Sequence, residues 1–231
     1  MTVFQQIALL LTAAWLVLVI LFFRRSTVAL AFGLFAIGLY TLAALLTGRV
    51  TLEELGLGFN HPWWWTIGLG LVGVGVLVAF SPLADRIASR PFKQPPSLGA
   101  FGAIQQSLVK LMAGIVAAWL LGGFLEELVA RGIVLTSIEM GLAAFAGRAV
   151  AAAAAVCLAA IGAGLMHLYQ GPRAAVIIAQ LSVLFGILFV VSGHDLWTVI
   201  VCHGVYDTIA FIRFAARASR YSDLARTKEV P

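Results

Sequence analysis

The sequence contains little charge. Asp, Glu, Lys and Arg make up only 11% of its 231 residues, whereas 62% are hydrophobic. A soluble globular domain is usually about 25% charged and about 45–50% apolar. So much apolar surface cannot be hidden in one soluble core, and lipid must therefore contact much of it. The composition excludes an ordinary cytosolic enzyme and a disordered chain, and it predicts an integral membrane protein.

Cysteine is also scarce, and the basic residues are scattered. Cys157 and Cys202 both lie in apolar runs, so we expect two buried thiols and no disulfide. The net charge of +5 comes from residues in short loops and near the C-terminus, without a groove-like cluster. This pattern favours membrane orientation and excludes nucleic acid as the expected partner.

Seven apolar runs approach the ~20 residues needed to cross a ~30 Å hydrocarbon core. Because the runs are continuous and do not alternate, they predict helices and not the strands of a barrel. The first run lacks a basic leader and a small-residue cleavage site, so we expect a retained span. The fold class is therefore all-α, a polytopic transmembrane bundle with spans at Phe4–Phe23, Thr27–Thr47, Trp63–Leu83, Leu111–Leu135, Val150–Tyr169, Ala174–Ser192 and Leu196–Phe214.

Basic residues predict an N-outside, C-inside orientation, because cytoplasmic loops are enriched in Lys and Arg. Only two basic residues, Arg49 and Arg148, would then lie in outside loops. We expect residues 1–96 to form a three-span part with an interfacial loop and a Pro-rich cytoplasmic linker, 97–216 a four-helix catalytic core, and 217–231 a basic cytoplasmic tail. The basic residues on the cytoplasmic side would be Arg24, Arg25, Arg86, Arg90, Lys93, Arg173, Arg213, Arg217, Arg220, Arg226 and Lys228.

Charged residues inside the fourth apolar run are the first functional signal. Each costs at least about 2.5–3.5 kcal/mol on insertion scales, so each needs a partner and usually has a function. Glu127 and Arg131 are four residues apart and can pair along one helix face. Glu126 points about 140° away from Arg131 at about 100° per residue, which leaves it without this cation. A free carboxylate in a low-dielectric site suits a general acid or base.

Histidines in later runs are the second signal. His167 lies late in the fifth run, and His203 and Asp207 share a helix face in the last. Asp207 could fix the tautomer of His203, or both could face a central cavity. Counted from the predicted span ends, Glu126 and His203 lie at a similar depth, in the outer half of the membrane. His167 does not lie at this depth. We assign no role to the loop histidines, His61 and His194.

These three motifs, in this order, resemble the CAAX protease and bacteriocin-processing family of intramembrane endopeptidases, which includes the type II CAAX prenyl proteases. The resemblance rests on Glu126-Glu127-x-x-x-Arg131-Gly132, then His167, then His203-x-x-x-Asp207. It covers roughly residues 103–211. The family implies that the first glutamate and the middle histidine, here Glu126 and His167, activate water.

The resemblance also implies that His203 and the residue at 207 bind the oxyanion and that Glu127 with Arg131 supports the site. Two positions depart from the family. Ala163 stands where an aromatic residue is usual, and Asp207 stands where asparagine is frequent. Because an ionised aspartate repels an oxyanion, Asp207 would need to be protonated or to orient another group.

We therefore expect a metal-free, glutamate-type endopeptidase without a cofactor, acting on a membrane-anchored or lipid-linked protein or peptide. A zinc-dependent alternative would use Glu126, His167 and His203 as ligands. Two other functions stay open: a non-proteolytic immunity or scaffold protein of the same fold, and a transporter using the buried carboxylates. The short, alanine-rich chain is typical of a bacterial protein in the inner membrane, with an anchored protein or a leader peptide as substrate. The sequence gives no oligomeric state.

Overall fold

Seven helical spans form the structure, as the sequence predicts. The computed structural model describes residues 2–22 and 27–228, except for the side chains of residues 22, 27, 100 and 217–228. All seven candidate spans are long and apolar enough to cross a membrane. The helices are α1 (Val3–Phe22), α2 (Thr27–Leu46), α3 (Trp63–Ala88), α4 (Leu108–Ala117), α5 (Thr136–Ala146), α6 (Arg148–Met166), α7 (Pro172–Val191) and α8 (Leu196–Lys228).

The fourth span is longer than predicted and is not a regular α-helix. It runs without interruption from Leu108 to Ala146, and its middle consists of two π-helical segments, Ala118–Glu126 and Leu128–Leu135, between α4 and α5. The span ends at Gly147, whose φ of 74° suits glycine. The chain then reverses into α6, so the fourth and fifth spans form an antiparallel helical hairpin.

A short turn follows α6 and positions one of the histidines. Residues His167–Gln170 form a single 3₁₀ turn, and Gly171, with φ 102°, precedes α7. Pro172 occupies the first turn of α7, where its missing N–H costs nothing. The turn is also tied to the linker after α3, because the backbone N–H of Ser97 donates to the carbonyl of Gln170 at 2.8 Å.

The third span packs closely on the last two. A Cβ atom at Gly73 of α3 would lie 2.8–2.9 Å from the side-chain ends of Leu188 and Cys202, so any larger residue would force these side chains to shift. The predicted end of the third span, at Leu83, is wrong, because α3 continues to Ala88 and so includes an ionisable group, Asp85. Its carboxylate accepts two hydrogen bonds from Arg173 of α7, at 2.9 and 2.7 Å.

The first two helices pack on each other and against the fourth span, and α1 also contacts α6. Of the two cysteines, both of which are free, Cys202 is buried as expected. The expectation is wrong for Cys157, which is exposed on α6, because a helix in a membrane can present an apolar side chain outward. The predicted orientation and the division of the chain stay predictions. Arg24 and Arg25 lie outside the described residues, as do residues 229–231 and the side chains of Arg217, Arg220, Arg226 and Lys228.

Candidate active site

The predicted ion pair between Glu127 and Arg131 is present and buried. An Arg131 guanidinium nitrogen donates to Glu127 Oε1 at 3.0 Å, and the two side chains are 4% and 0% exposed. The other terminal nitrogen of Arg131 donates to Ser182 of α7, to its carbonyl at 3.0 Å and to its hydroxyl at 2.6 Å. This network fixes the fourth span against α7.

The same carboxylate also holds His203, a contact that sequence reasoning missed. His203 Nδ1 lies 2.6 Å from Glu127 Oε1, which also accepts from Arg131. The ring of His203 stacks on Phe185 of α7 at 4.8 Å between centroids, and the Arg131 guanidinium lies 5.3 Å from the centroid of the Phe185 ring. Glu127 therefore orients His203 through Nδ1, the role that sequence reasoning offered to Asp207.

Asp207 lies on the other side of the His203 ring. Its Oδ2 is 3.5 Å from His203 Nε2, so carboxylate oxygens face both ring nitrogens. Both side chains approach the backbone of Gly122: a Cβ there would lie 3.1 Å from Asp207 Oδ2 and 3.4 Å from His203 Nε2. Glycine at this position lets the first π-helical segment approach the two side chains closely.

Glu126 and His167 line one cavity, of about 210 Å³. Its other walls are mostly apolar and come from α1, the fourth span and α6, with Leu34 of α2. In the part of the chain that the structure describes, Glu126 forms no ion pair. Among the described residues Glu126 is thus not paired with Arg131, as its helical position predicts, and it lies beside the same cavity as the middle-motif histidine.

A carbonyl oxygen sets the tautomer of the neutral His167 ring. His167 Nδ1 lies 2.8 Å from the carbonyl oxygen of Ala163, one turn earlier in α6. Because a carbonyl only accepts hydrogen bonds, Nδ1 carries the proton of a neutral ring, and Nε2 then has a free lone pair. A ring in this tautomer can accept a proton at Nε2.

The two loop histidines are distant from this arrangement and have structural partners. His194 Nε2 contacts Glu139 of α5 at 2.8 Å, and His61 Nε2 contacts the carbonyl of Ser192 at 3.1 Å. His61 also lines a separate cavity of about 170 Å³ near the first residues of α3 and α8. Within the described residues, no three His, Cys, Asp or Glu side chains are grouped to hold a metal ion.

Comparison with known proteins identifies the segment that carries these residues. The model of the family described as type II CAAX prenyl endopeptidase Rce1-like matches residues 108–209. This range begins with α4 and ends in α8, and it contains every candidate site residue. Searches of curated proteins and of solved structures found no significant match.

Proposed function

We propose that the chain is a glutamate-type intramembrane endopeptidase, on the premise that residues 108–209 match the model of the type II CAAX prenyl endopeptidase Rce1-like family. The family implies a protease, and the seven apolar helices make it a multi-pass membrane protein. The observation that carries the proposed mechanism is the cavity shared by Glu126 and His167, since these two groups can act on one water molecule there.

The first step needs a base and a water molecule. Glu126, which has no cation partner among the described residues, takes a proton from the water molecule. The oxygen of that water then attacks the scissile carbonyl carbon. His167 shares this work through Nε2, because its Nδ1 is engaged by Ala163. When the C–N bond breaks, the proton passes from this pair to the leaving amine, so one water and one peptide bond give a carboxylic acid and an amine. The acid then transfers its proton to the amine, which leaves a carboxylate and an ammonium group.

The second requirement is a donor for the oxyanion of the tetrahedral intermediate. His203 Nε2 can donate once both ring nitrogens carry protons, and the resulting imidazolium has carboxylate oxygens facing each nitrogen, from Glu127 and Asp207. Glu127 and Arg131 support the site by holding His203 and bracing the fourth span on α7. Asp207 acts on the oxyanion only when it is protonated, because a carboxylate cannot donate a hydrogen bond.

The cavity also supports a membrane-anchored or lipid-linked substrate. Its walls are mostly apolar and lie among membrane spans, so an apolar part of the substrate can enter with little desolvation cost. We place the protein in the inner membrane of a bacterium, where the substrate would be an anchored protein or a leader peptide. No nucleic acid and no cofactor enter this proposal.

The test compares protein termini in membranes of cells expressing the wild type or Glu126→Gln at matched levels. New N- and C-termini that depend on Glu126 support the proposal and identify the substrate with its cleavage site. Glu139→Gln provides a matched control, because Glu139 contacts His194 and does not line the cavity, and we expect it to cleave like the wild type. If wild-type and Glu126→Gln membranes have the same termini, the protein is not this protease. A Glu126-dependent flux in proteoliposomes would then favour a transporter, and its absence a scaffold or immunity protein.

A further inference from the structure

A tyrosine lies in the same turn as His167 and has no role in the mechanism above. The rings of His167 and Tyr169 lie 5.8 Å apart between centroids, at 32°. The side-chain amide of Gln170 donates to the Tyr169 hydroxyl oxygen at 2.7 Å, and the backbone carbonyl of Gln170 is tied to Ser97. The 3₁₀ turn therefore holds His167 and Tyr169 as one unit.

Tyr169 also lies beside the half of the site that activates water, because its ring contacts that of His167. Its hydroxyl is within electrostatic range of the carboxylates of both Glu126 and Asp207. Glu126 belongs to the half that activates water, and Asp207 belongs to the half that would bind the oxyanion. A carbonyl undergoing attack has to lie next to the groups that activate water, which places it near the ring of Tyr169.

The hydrogen of this hydroxyl is available for a substrate. The hydroxyl oxygen accepts from Gln170, and the described residues contain no acceptor bonded to its hydrogen. The site needs such a donor, because the other polar group beside His203 Nε2 is Asp207, and an ionised carboxylate has no hydrogen to give. His203 Nε2 alone would otherwise face the oxyanion.

We propose that Tyr169 is a catalytic residue whose hydroxyl, oriented by Gln170, donates a hydrogen bond to the oxyanion of the tetrahedral intermediate. This inference rests on the proposed endopeptidase function. The phenol keeps its proton throughout: the hydrogen bond forms as the carbonyl oxygen becomes negative and weakens when the C–N bond breaks and the carbonyl re-forms. Water still loses its proton to the Glu126–His167 pair, which passes it to the amine.

The test removes this one hydroxyl. In the terminus assay above, the fraction of substrate cut is followed in time for the wild type, Tyr169→Phe and Tyr206→Phe at matched enzyme levels. Tyr206 is the control because its hydroxyl is engaged by Ser81 of α3 at 2.7 Å. Loss of one oxyanion donor typically slows the chemical step roughly 100-fold to 1,000-fold, which is the drop expected for Tyr169→Phe. Tyr206→Phe should stay within about threefold of the wild type.

A second variant separates catalysis from folding. Gln170→Met removes the amide that orients the hydroxyl, and one hydrogen bond corresponds to a rate loss of roughly 2-fold to 10-fold. In the Tyr169→Phe background the same change should cost nothing further, because nothing is left to orient. Additive losses, or a Tyr169→Phe enzyme as fast as the wild type, would overturn the role of Tyr169 while leaving the endopeptidase intact. A wild type that generates no Glu126-dependent termini overturns both.

Discussion

Removing Arg131 should destabilise the protein strongly, because its partner is a fully buried carboxylate. In Arg131→Met the aliphatic stem is retained, while the guanidinium and its bonds to Glu127 and Ser182 are lost. Glu127, 0% exposed, then keeps only His203 as a charged neighbour. Breaking a buried ion pair on one side costs about 3–5 kcal/mol. In a chain of this size that corresponds to a fall in Tm of roughly 6–20 °C.

The matched control is the same substitution at the other arginine–carboxylate pair. Arg173 pairs with Asp85, but these side chains are 17% and 48% exposed, and a solvent-accessible pair contributes about 0–1 kcal/mol. Arg173→Met should therefore lower the Tm by at most about 4 °C. The measurement is thermal unfolding of the purified variants in one detergent, followed by tryptophan fluorescence, since the chain has six tryptophans.

A double variant tests whether the unpaired charge of Glu127 causes the loss of stability in Arg131→Met. Glu127→Gln combined with Arg131→Met leaves no unpaired buried charge, and the amide oxygen can still accept from His203. We expect it to recover at least half of the lost Tm, because replacing both partners of a buried pair is often close to neutral. If Arg131→Met is no less stable than Arg173→Met, or if the double variant is less stable than Arg131→Met, the unpaired-charge explanation is wrong.

Three further predictions concern the cavity, the oxyanion and the metal. Gly162→Leu should fill the cavity, where a Cβ at this position meets only Leu16 of α1 at 3.9 Å, and should reduce cleavage at least tenfold. The control Gly75→Leu, in open space on α3, should not reduce cleavage. Equal rates for the two variants would show that the substrate does not use this cavity. Asp207→Asn introduces an amide donor beside His203, so cleavage should persist and the Tyr169→Phe loss should shrink at least tenfold in the same terminus assay; an undiminished loss would mean that the two groups do not serve one oxyanion. Cleavage in isolated membranes should resist 1,10-phenanthroline and EDTA, and inhibition reversed by added Zn²⁺ would favour the metal-dependent alternative.

The sequence predicted the helical class, the number of spans and the Glu127–Arg131 pair, because these depend on composition and on local helical spacing. It could not predict that Glu127 holds His203, since 76 residues separate them and the contact depends on how α8 packs on the fourth span. Ser182 and Phe185 were missed for the same reason: a serine and a phenylalanine in an apolar run carry no signal of their own.

The difficulty with the depth of His167 came from misplaced helix ends. The fourth span was predicted to end at Leu135, whereas the helix continues to Ala146 and reverses at Gly147. Counted from this glycine, Glu126 is 21 residues before the turn and His167 is 20 residues after it. An antiparallel hairpin brings such positions side by side, so locating the reversal at Gly147 would have predicted their meeting.

The cavity wall supplied by α1 lies in a different segment of the chain from the residues proposed for chemistry. The groups proposed for chemistry all lie within residues 108–209, but Leu9, Thr12, Ala13 and Leu16 of α1 line the cavity beside them. These α1 side chains set part of its width and carry no charge. Under the proposed function, changes in the first span would alter which substrates fit while the reaction stays the same, so duplicated copies of such a protein could diverge in substrate through changes in α1.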